Sequence, residues 1–423
     1  MNFTFIHAAD IHLDSPLKGL ERYEGAPVDK IRGATRKAFV QLIDTAIERR
    51  VDFLVLAGDL YDNDWKDYNT GLFFVHQMSR LEKEGIPVYL IRGNHDAASL
   101  ITKEIRLPQN VTECSTSQPE TFINDNLQVA IHGQGFPTRA VTDNMASQYP
   151  EPIQDYFNIG ILHTSVTGRE GHEHYAPCSL EDLKGKGYDY WALGHIHQRE
   201  LLHERNPVVL FPGNIQGRHI RETGAKGCTI VHVKDGQVET LTPITLDVLR
   251  WERCEVDISN AEVIDDVMEL VRTSVEHAYD QSEGRYLAAR IELVGATSLH
   301  EQLVLEKDHM TNNFRALAME IGYGDIWIEK VKFLTTSLVH IDEWLEQDSP
   351  VSTIFQYMKT VSEDDEFIAE LMQEFESLER ALPVEVKKQT AKLRSSRQQF
   401  VDDYRKEVED MILHYLTNAG VKE

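Results

Sequence analysis

Phe3-Thr4-Phe5-Ile6-His7-Ala8-Ala9, running straight into Asp10-Ile11-His12, is the stretch on which the fold turns. Seven residues without a breaker read as a strand, and the next three put a carboxylate and an imidazole at its C-terminal end. The arrangement recurs. Asp52-Phe53-Leu54-Val55-Leu56-Ala57 is an apolar run of the length of a buried strand, and it stops at Gly58-Asp59-Leu60-Tyr61-Asp62. Pro87-Val88-Tyr89-Leu90-Ile91 leads to Gly93-Asn94-His95-Asp96, and the strand ending at His163 leads to Thr164-Ser165. A further strand, Tyr188–Leu193, precedes Gly194-His195-Ile196-His197. Five short polar motifs thus fall at strand C-termini, where α/β sheets place their ligands.

Working outward, helical spacing covers Val28 to Arg50 through Ile31, Phe39, Leu42, Ile43 and Ile47, and a second helix covers Thr70 to Glu84. Leu127–His132, Val208–Phe211 and Cys228–Lys234 are further strand candidates. Strands alternating with helices, then strands in succession, predict an α/β fold for residues 1–245, a sandwich of two sheets between helical layers (αββα). Residues 251–345 read as a small α+β domain of order strand (Cys254–Ile258), helix (Ala261–His277), strand (Ala288–Leu293), helix (Met310–Ile321), strand (Asp325–Phe333). Residues 350–423 read as a helical segment divided at Pro383. Leu393, Phe400, Tyr404, Val408, Ile412 and Tyr415 make one apolar stripe there, which either packs on its own chain or docks on a partner.

The 423 residues suit two or three domains, and an apolar fraction of 41% is enough for a sizeable core. No apolar run approaches the roughly 20 residues of a membrane span, and the first residues carry no basic leader, so no membrane association and no signal peptide are expected. Cys114, Cys178, Cys228 and Cys254 are widely spaced, as expected of reduced thiols in a cytoplasmic protein. The net charge is −26, with 33 acidic and 25 basic side chains in residues 1–250 against 36 and 18 in residues 251–423. Such acidity opposes nonspecific nucleic-acid binding, but most of it lies away from the motifs, and bound dications would offset part of the rest.

Carboxylate, imidazole and amide oxygen together are the donor set of borderline ions such as Mn(II), Fe(II) or Zn(II). A D-x-H or an H-x-H aims two donors from one strand end, and glycines before Asp59, Asn94 and His195 are expected to allow the sharp turns this needs. Any one motif can arise structurally, but all five in this order do not read as chance. His132 reads as a packed core histidine. His172 and His174 read as loop surface, and His7 and His76 are assigned no role.

The set resembles the calcineurin-like metallophosphoesterase superfamily, whose pattern runs D-x-H, G-D, G-N-H-D/E, H, G-H-x-H. The resemblance implies two divalent ions. Asp10, His12, Asp59 and His197 would hold one, and Asp59, Asn94, His163 and His195 the other, with Asp59 bridging. Such a pair activates water and neutralises phosphoryl oxygens in an in-line attack. It further implies that His95 is catalytic, stabilising or protonating the leaving oxygen. Asp96 either orients His95 or serves only its own turn.

A narrower likeness concerns substrate. Ile6 to Asp14, Ala57 to Asp62, Ala192 to His197 and Phe211 to Arg218 are similar to the SbcD-type DNA repair nucleases, and Gln216 to Cys228 is most similar to their YhaO group. This implies a manganese-dependent DNA exonuclease or endonuclease, the catalytic subunit of an SbcC–SbcD-like complex with an SMC-like ATPase, and a homodimer. It also implies that residues 251–345 cap the nuclease domain and that residues 350–423 dock on the ATPase. Asp62 stands where some relatives carry a histidine used in exonucleolytic cleavage. Arg218, His219 and Arg221, and further off Arg169, either contact DNA phosphates or are solvent-facing loop cations. Two competing readings are a phosphodiesterase or phosphatase of small nucleotides, which the acidic charge suits, and a regulatory subunit with a vestigial site, which the intact ligand set argues against.

Overall fold

The computed structural model describes residues 1–15, 25–62, 68–98, 106–166 and 176–338, with a few isolated positions between 353 and 408. In chain order the elements are β1 (Phe3–Ala8), α1 (Val28–Glu48), β2 (Phe53–Ala57), α2 (Tyr68–Lys83), β3 (Val88–Ile91), β4 (Val111–Glu113), β5 (Glu120–Asn124) and β6 (Val129–Gly133). There follow β7 (Phe157–His163), α3 (Leu180–Gly185), β8 (Tyr190–Gly194), β9 (Glu200–His203), β10 (Val208–Phe211), β11 (Gly227–Lys234) and β12 (Gln237–Thr245). The last are β13 (Leu249–Asp257), α4 (Ile264–Gln281), β14 (Tyr286–Thr297), α5 (His300–Leu305), α6 (Lys307–Gly322) and β15 (Ile326–Ser337).

Two six-stranded sheets form the first compact unit, which spans Met1–Arg253 with the short segments Ala278–Ala289 and Gly322–Glu329. One has the order β12-β11-β1-β2-β3-β4, the other β5-β6-β7-β8-β10-β9. In the first, β1 to β4 are parallel and the β11–β12 pair closes one edge with β11 antiparallel to β1; in the second, β6, β7, β8 and β10 are parallel and antiparallel β5 and β9 close both edges. The central strands of each sheet are buried on both faces, which is why β2 and β8 read as unbroken apolar runs. Phe5, Phe53, Val55 and Tyr89 of one sheet pack with Ile131, Phe157, Ile159 and Tyr190 of the other. The rings of Phe5 and Phe53, register partners on neighbouring strands, stack at 4.9 Å. Alternate residues turn outward: Ile6, Leu54 and Leu90 meet Phe39 and Leu42 of α1 and Phe74 of α2. On the far side Trp191, Leu193 and Phe211 pack with Tyr149 and with Leu183 of α3. The expected α/β sandwich is therefore present, with the C-terminal ends of β1, β2, β3, β7 and β8 carrying the five motifs.

The second unit takes in Cys254–His277, Arg290–Ile321 and described residues from Lys330 onward. Helix α4 buries Val267, Val271 and Val275 at helical spacing, and α6 buries Met310, Phe314 and Ala318. Strands β13, β14 and β15 form a three-stranded sheet in that order. Most of residues 350–423 lies outside the described residues, including Pro383 and all of the apolar stripe except Val408, which is helical and exposed. Arg169, His172 and His174 also lie outside them. Among the described residues no helix is long and apolar enough to cross a membrane, and all four cysteines are buried free thiols.

Candidate metal centre

The loops after β1 and β2 are held side by side. Asp10 N–H donates to Gly58 O (3.1 Å), His12 N–H to Asp59 O (3.0 Å) and Leu13 N–H to Leu60 O (2.9 Å). This pairing carries Asp10 (φ 52°), His12 (φ 47°) and Asp59 (φ 51°) into the left-handed region, and His195 lies there too (φ 104°). Asp and His tolerate that region better than most residues, yet each such residue costs on the order of 1–3 kcal/mol and persists only where its surroundings enforce it. Four residues singled out from the sequence as ligands are therefore held in strained backbone by the fold.

The glycines act differently from the expectation of three sharp turns. Gly58 does make one (φ +90°). At Gly93 and Gly194 the requirement is close approach: a Cβ would lie 2.2 Å from Asp59 Oδ1 in the first case and 1.8 Å from Ala57 O in the second. The strand ends converge so tightly that no side chain fits between them.

Among the described residues three groups have donor atoms mutually within 4.8 Å: Asp10, His12 and His197; Asp10, Asp59 and His163; and His12, Asp62 and His95. The first two hold the expected ligands. In the first, Nε2 of His12 and Nε2 of His197 are 3.3 Å apart, with Asp10 Oδ1 3.9 Å from His197 Nε2. In the second, His163 Nε2 lies 2.9 Å from Asn94 Oδ1 and 3.4 Å from Asp59 Oδ2. Asp59 Oδ2 is also 3.8 Å from His12 Nε2, so this one oxygen faces both clusters. His195 joins through its ring, 5.2 Å from that of His163, and its N–H donates to both oxygens of Asp10 (3.1 and 3.0 Å). All seven expected ligands are thus gathered in one place.

The donor set fits divalent ions. His163 Nδ1 donates to Ala57 O (3.0 Å), which leaves the Nε2 lone pair directed at Asn94 and Asp59. His12 Nδ1 likewise donates to Asp62 Oδ1 (2.8 Å) and His197 Nδ1 to Glu222 Oε1 (2.7 Å), so their Nε2 lone pairs face each other. Acceptors converging on acceptors are relieved by a cation. Burial opposes a charged His163, but Asp59, by charge and hydrogen bond, raises it to about 9; a divalent ion would take the place of that proton. Burial tends to raise Asp59, but His163, His12 and His95 hold it well below the carboxylate range. Burial chiefly raises Asp10 and lowers His12 to about 4.

His95 stands at the edge of the cluster, its side chain 32% exposed. Its Nδ1 lies 3.1 Å from Asp62 Oδ1, and its N–H donates to Asp59 Oδ1 (2.9 Å). Burial works against its protonation, but Asp62 and Asp59 raise it above the ordinary imidazole value. Asp96 is buried and accepts backbone N–H groups of Leu60 (3.0 Å), Tyr61 (2.8 Å) and Gly93 (3.0 Å). Its contacts are those of a turn residue that ties the β2 and β3 loops together. Burial and the charge of Asp59 push its carboxyl up to about 7.

Arg218 is not a solvent-facing loop cation. Its side chain is 13% exposed, 3.2 Å from Glu222 and 3.7 Å from Asp62. His219 and Arg221 are exposed beside it. His132 is a core histidine bonded to Thr121 (2.9 Å) and Asn158 (3.0 Å), and His7 is buried between Tyr190 and Leu193 O. Sequence reasoning missed Glu222 altogether and met Asp62 only as a departure from some relatives. Glu222 carries no motif, since its partner His197 lies 25 positions away. For Asp62, the single available signal was its place three residues after Asp59.

The fold and this constellation define a metal-dependent phosphoesterase, and residues 3–199 match the calcineurin-like phosphoesterase family. Residues 251–336 match the middle domain of metallophosphoesterase YhaO. The chain is 38% identical over 297 residues to the metallophosphoesterase YhaO of Bacillus subtilis (strain 168), covering 70% of this chain and 72% of that protein. It belongs to the YhaO-like calcineurin-like metallophosphoesterases. More distant relatives are the DNA double-strand break repair proteins Mre11 of Sulfurisphaera tokodaii and Methanococcus maripaludis. The first is 23% identical over 383 residues, covering 87% of this chain and 91% of the relative; the second is 24% identical over 388 residues, covering 86% and 92%.

Proposed function

We propose that this metallophosphoesterase is a DNA nuclease using two divalent ions, manganese first among them, and that it works as the catalytic subunit of a complex with an SMC-like ATPase. The observation that carries the DNA reading is that its likeness to the Mre11 repair proteins runs through both units rather than stopping at the phosphoesterase domain. On this reading residues 1–245 cleave, residues 251–345 cap the site, residues 350–423 dock on the ATPase, and the chain works as a homodimer.

Asp10, His12, Asp59 and His197 would hold one ion and Asp59, Asn94, His163 and His195 the other. Bound there, the ions supply a water nucleophile at neutral pH and charge neutralisation at phosphorus. The protein does the rest. Asp62 accepts from His95 Nδ1, which turns Nε2 outward, and a protonated His95 can then give its proton to the departing oxygen. Arg218 balances Asp62 and Glu222, while exposed Arg221 and His219 would contact DNA phosphates.

The acidic balance of −26 favours a second reading, hydrolysis of small nucleotide phosphodiesters or phosphates. One experiment separates the two: the full chain is assayed on end-labelled linear DNA and on cyclic nucleotides with Mn2+, Mg2+ or chelator, beside Asp59→Ala and His95→Ala. Mn2+-dependent DNA cleavage lost in both variants, with metal uptake kept in His95→Ala, is the expected result. Cleavage of cyclic nucleotides alone would overturn the DNA reading. Cleavage retained by Asp59→Ala would overturn the site.

A further inference from the structure

Behind the first donor cluster lies a layer of buried charge that the ligand set does not explain. Glu222 is 6% exposed and sits at the end of the loop that follows β10. Its Oε1 accepts from His197 Nδ1 at 2.7 Å, and its Oε2 accepts from the Arg218 N–H (2.8 Å) and from Asn214 Nδ2 (2.9 Å). The Arg218 guanidinium lies 3.2 Å and His219 Nε2 3.5 Å from Oε1. A carboxylate with so many donors is a fixed object, its lone pairs assigned by the loop that carries it.

We infer that Glu222, with Arg218 as its counter-charge, is a positioning residue that fixes His197 in the orientation and tautomer needed to bind metal through Nε2. A carboxylate can only accept, so the proton of His197 must lie on Nδ1 and the lone pair on Nε2. Asp62 does the same for His12, and Arg218 lies between the two carboxylates. Both imidazoles of one cluster are therefore backed by carboxylates that share a single guanidinium. Without Glu222, the Arg218 Nη2, 3.3 Å from His197 Nδ1, becomes the nearest neighbour of that nitrogen. An arginine can only donate, so it would reverse the tautomer and place the proton on Nε2, where the ion belongs.

The inference rests on the two-ion reading, and the test tells their failures apart. Mn2+ uptake by the full chain is titrated by electron paramagnetic resonance of the free ion, for wild type, Glu222→Ala and Glu222→Gln. The metal-free melting temperature of each is recorded. Wild type should take up two ions. Glu222→Ala should weaken one of them by roughly 10–100-fold and leave the other unchanged, the range seen when the hydrogen-bond partner of a ligating histidine is removed. Glu222→Gln keeps an acceptor for Nδ1 and should restore much of that loss. If Glu222→Ala does not fold, Glu222→Gln decides alone, by a weakening of a few-fold confined to one ion. Two ions bound with wild-type affinity by the folded variants would overturn the role of Glu222 and leave the two-ion site standing. Equal weakening of both ions with a lowered melting temperature would reduce Glu222 to a packing residue. A wild-type chain that takes up no Mn2+ would overturn both.

Discussion

At the scale of single residues, Asp62 is the side chain on which most depends. Its Oδ1 takes His12 Nδ1 at 2.8 Å and His95 Nδ1 at 3.1 Å, so one oxygen orients a proposed ligand and the proposed acid together. Burial alone would raise this carboxyl, but the two imidazoles and Arg218 hold it well below the usual range, and it stays ionised throughout the working pH. Asp62→Asn leaves a single acceptor for two donors and removes the charge that favours a protonated His95. We expect it to lower kcat on bis(4-nitrophenyl) phosphate by about 10²–10⁴-fold, the usual worth of a placed proton donor. At saturating Mn2+, which offsets any metal affinity lost through His12, the remaining effect of Asp62 runs through His95, so Asp62→Asn combined with His95→Ala should be little slower than His95→Ala alone. Losses that multiply would show two independent roles. The sequence made the ligands legible because each follows an apolar run directly. It could not make Asp62 or Glu222 legible, because their roles lie in contacts spanning 50 and 25 positions.

At the scale of elements, the legible strands were those buried on both faces. β2 and β8 are continuous apolar runs, β1 and β7 are mostly apolar with Thr4, His7 and Asn158 as exceptions, and each leads into a polar motif. The strands that went unread were β4, β5, β9 and β12, which have no such signal. They are the four edge strands of the two six-stranded sheets, and β12 alternates only weakly between partly and fully exposed positions. The glycines show how element packing, rather than local turn geometry, dictates sequence. A Cβ at Gly194 would press on Ala57 O, the very carbonyl that accepts from His163 Nδ1. Gly33, inside α1, has nothing within 4 Å of its notional Cβ. Gly194→Ala should therefore cost about 1–3 kcal/mol in urea unfolding and also weaken Mn2+ uptake, since β8 can relieve the clash only by moving His195. Gly33→Ala should gain about 0.5–1 kcal/mol and leave the metal centre untouched. Equal stability of the two variants would mean that the strand ends are looser than their geometry shows.

At the scale of the whole molecule, charge and proposed substrate pull against each other. The chain carries −26, and residues 251–423 alone carry 36 acidic against 18 basic side chains. Among the described residues beside the centre, Arg218 is committed to Glu222 and Asp62, which leaves Arg221 as the exposed cation, with His219, whose protonation burial disfavours, as a hydrogen-bonding neighbour. Affinity for duplex DNA falls with salt in proportion to the phosphates neutralised, with a slope of about −0.9 per contact in a plot of log K against log salt. One or two contacts predict a slope of about −1 to −2, far shallower than the roughly −10 of a strongly basic DNA-binding protein. Binding by the isolated chain should accordingly be weak and only mildly sensitive to salt. The measurement is fluorescence anisotropy of labelled duplex DNA from 50 to 300 mM salt, with Ca2+ in place of Mn2+ to suppress cleavage. Arg221→Ala should lower affinity equally for all sequences and flatten the slope by about one unit. A steep slope in the wild type would mean that a basic surface outside the described residues grips the DNA. A flat line at zero, with no binding at any salt, would move the grip to the ATPase partner or the substrate to a small nucleotide. The comparison with cyclic nucleotides would then decide between them.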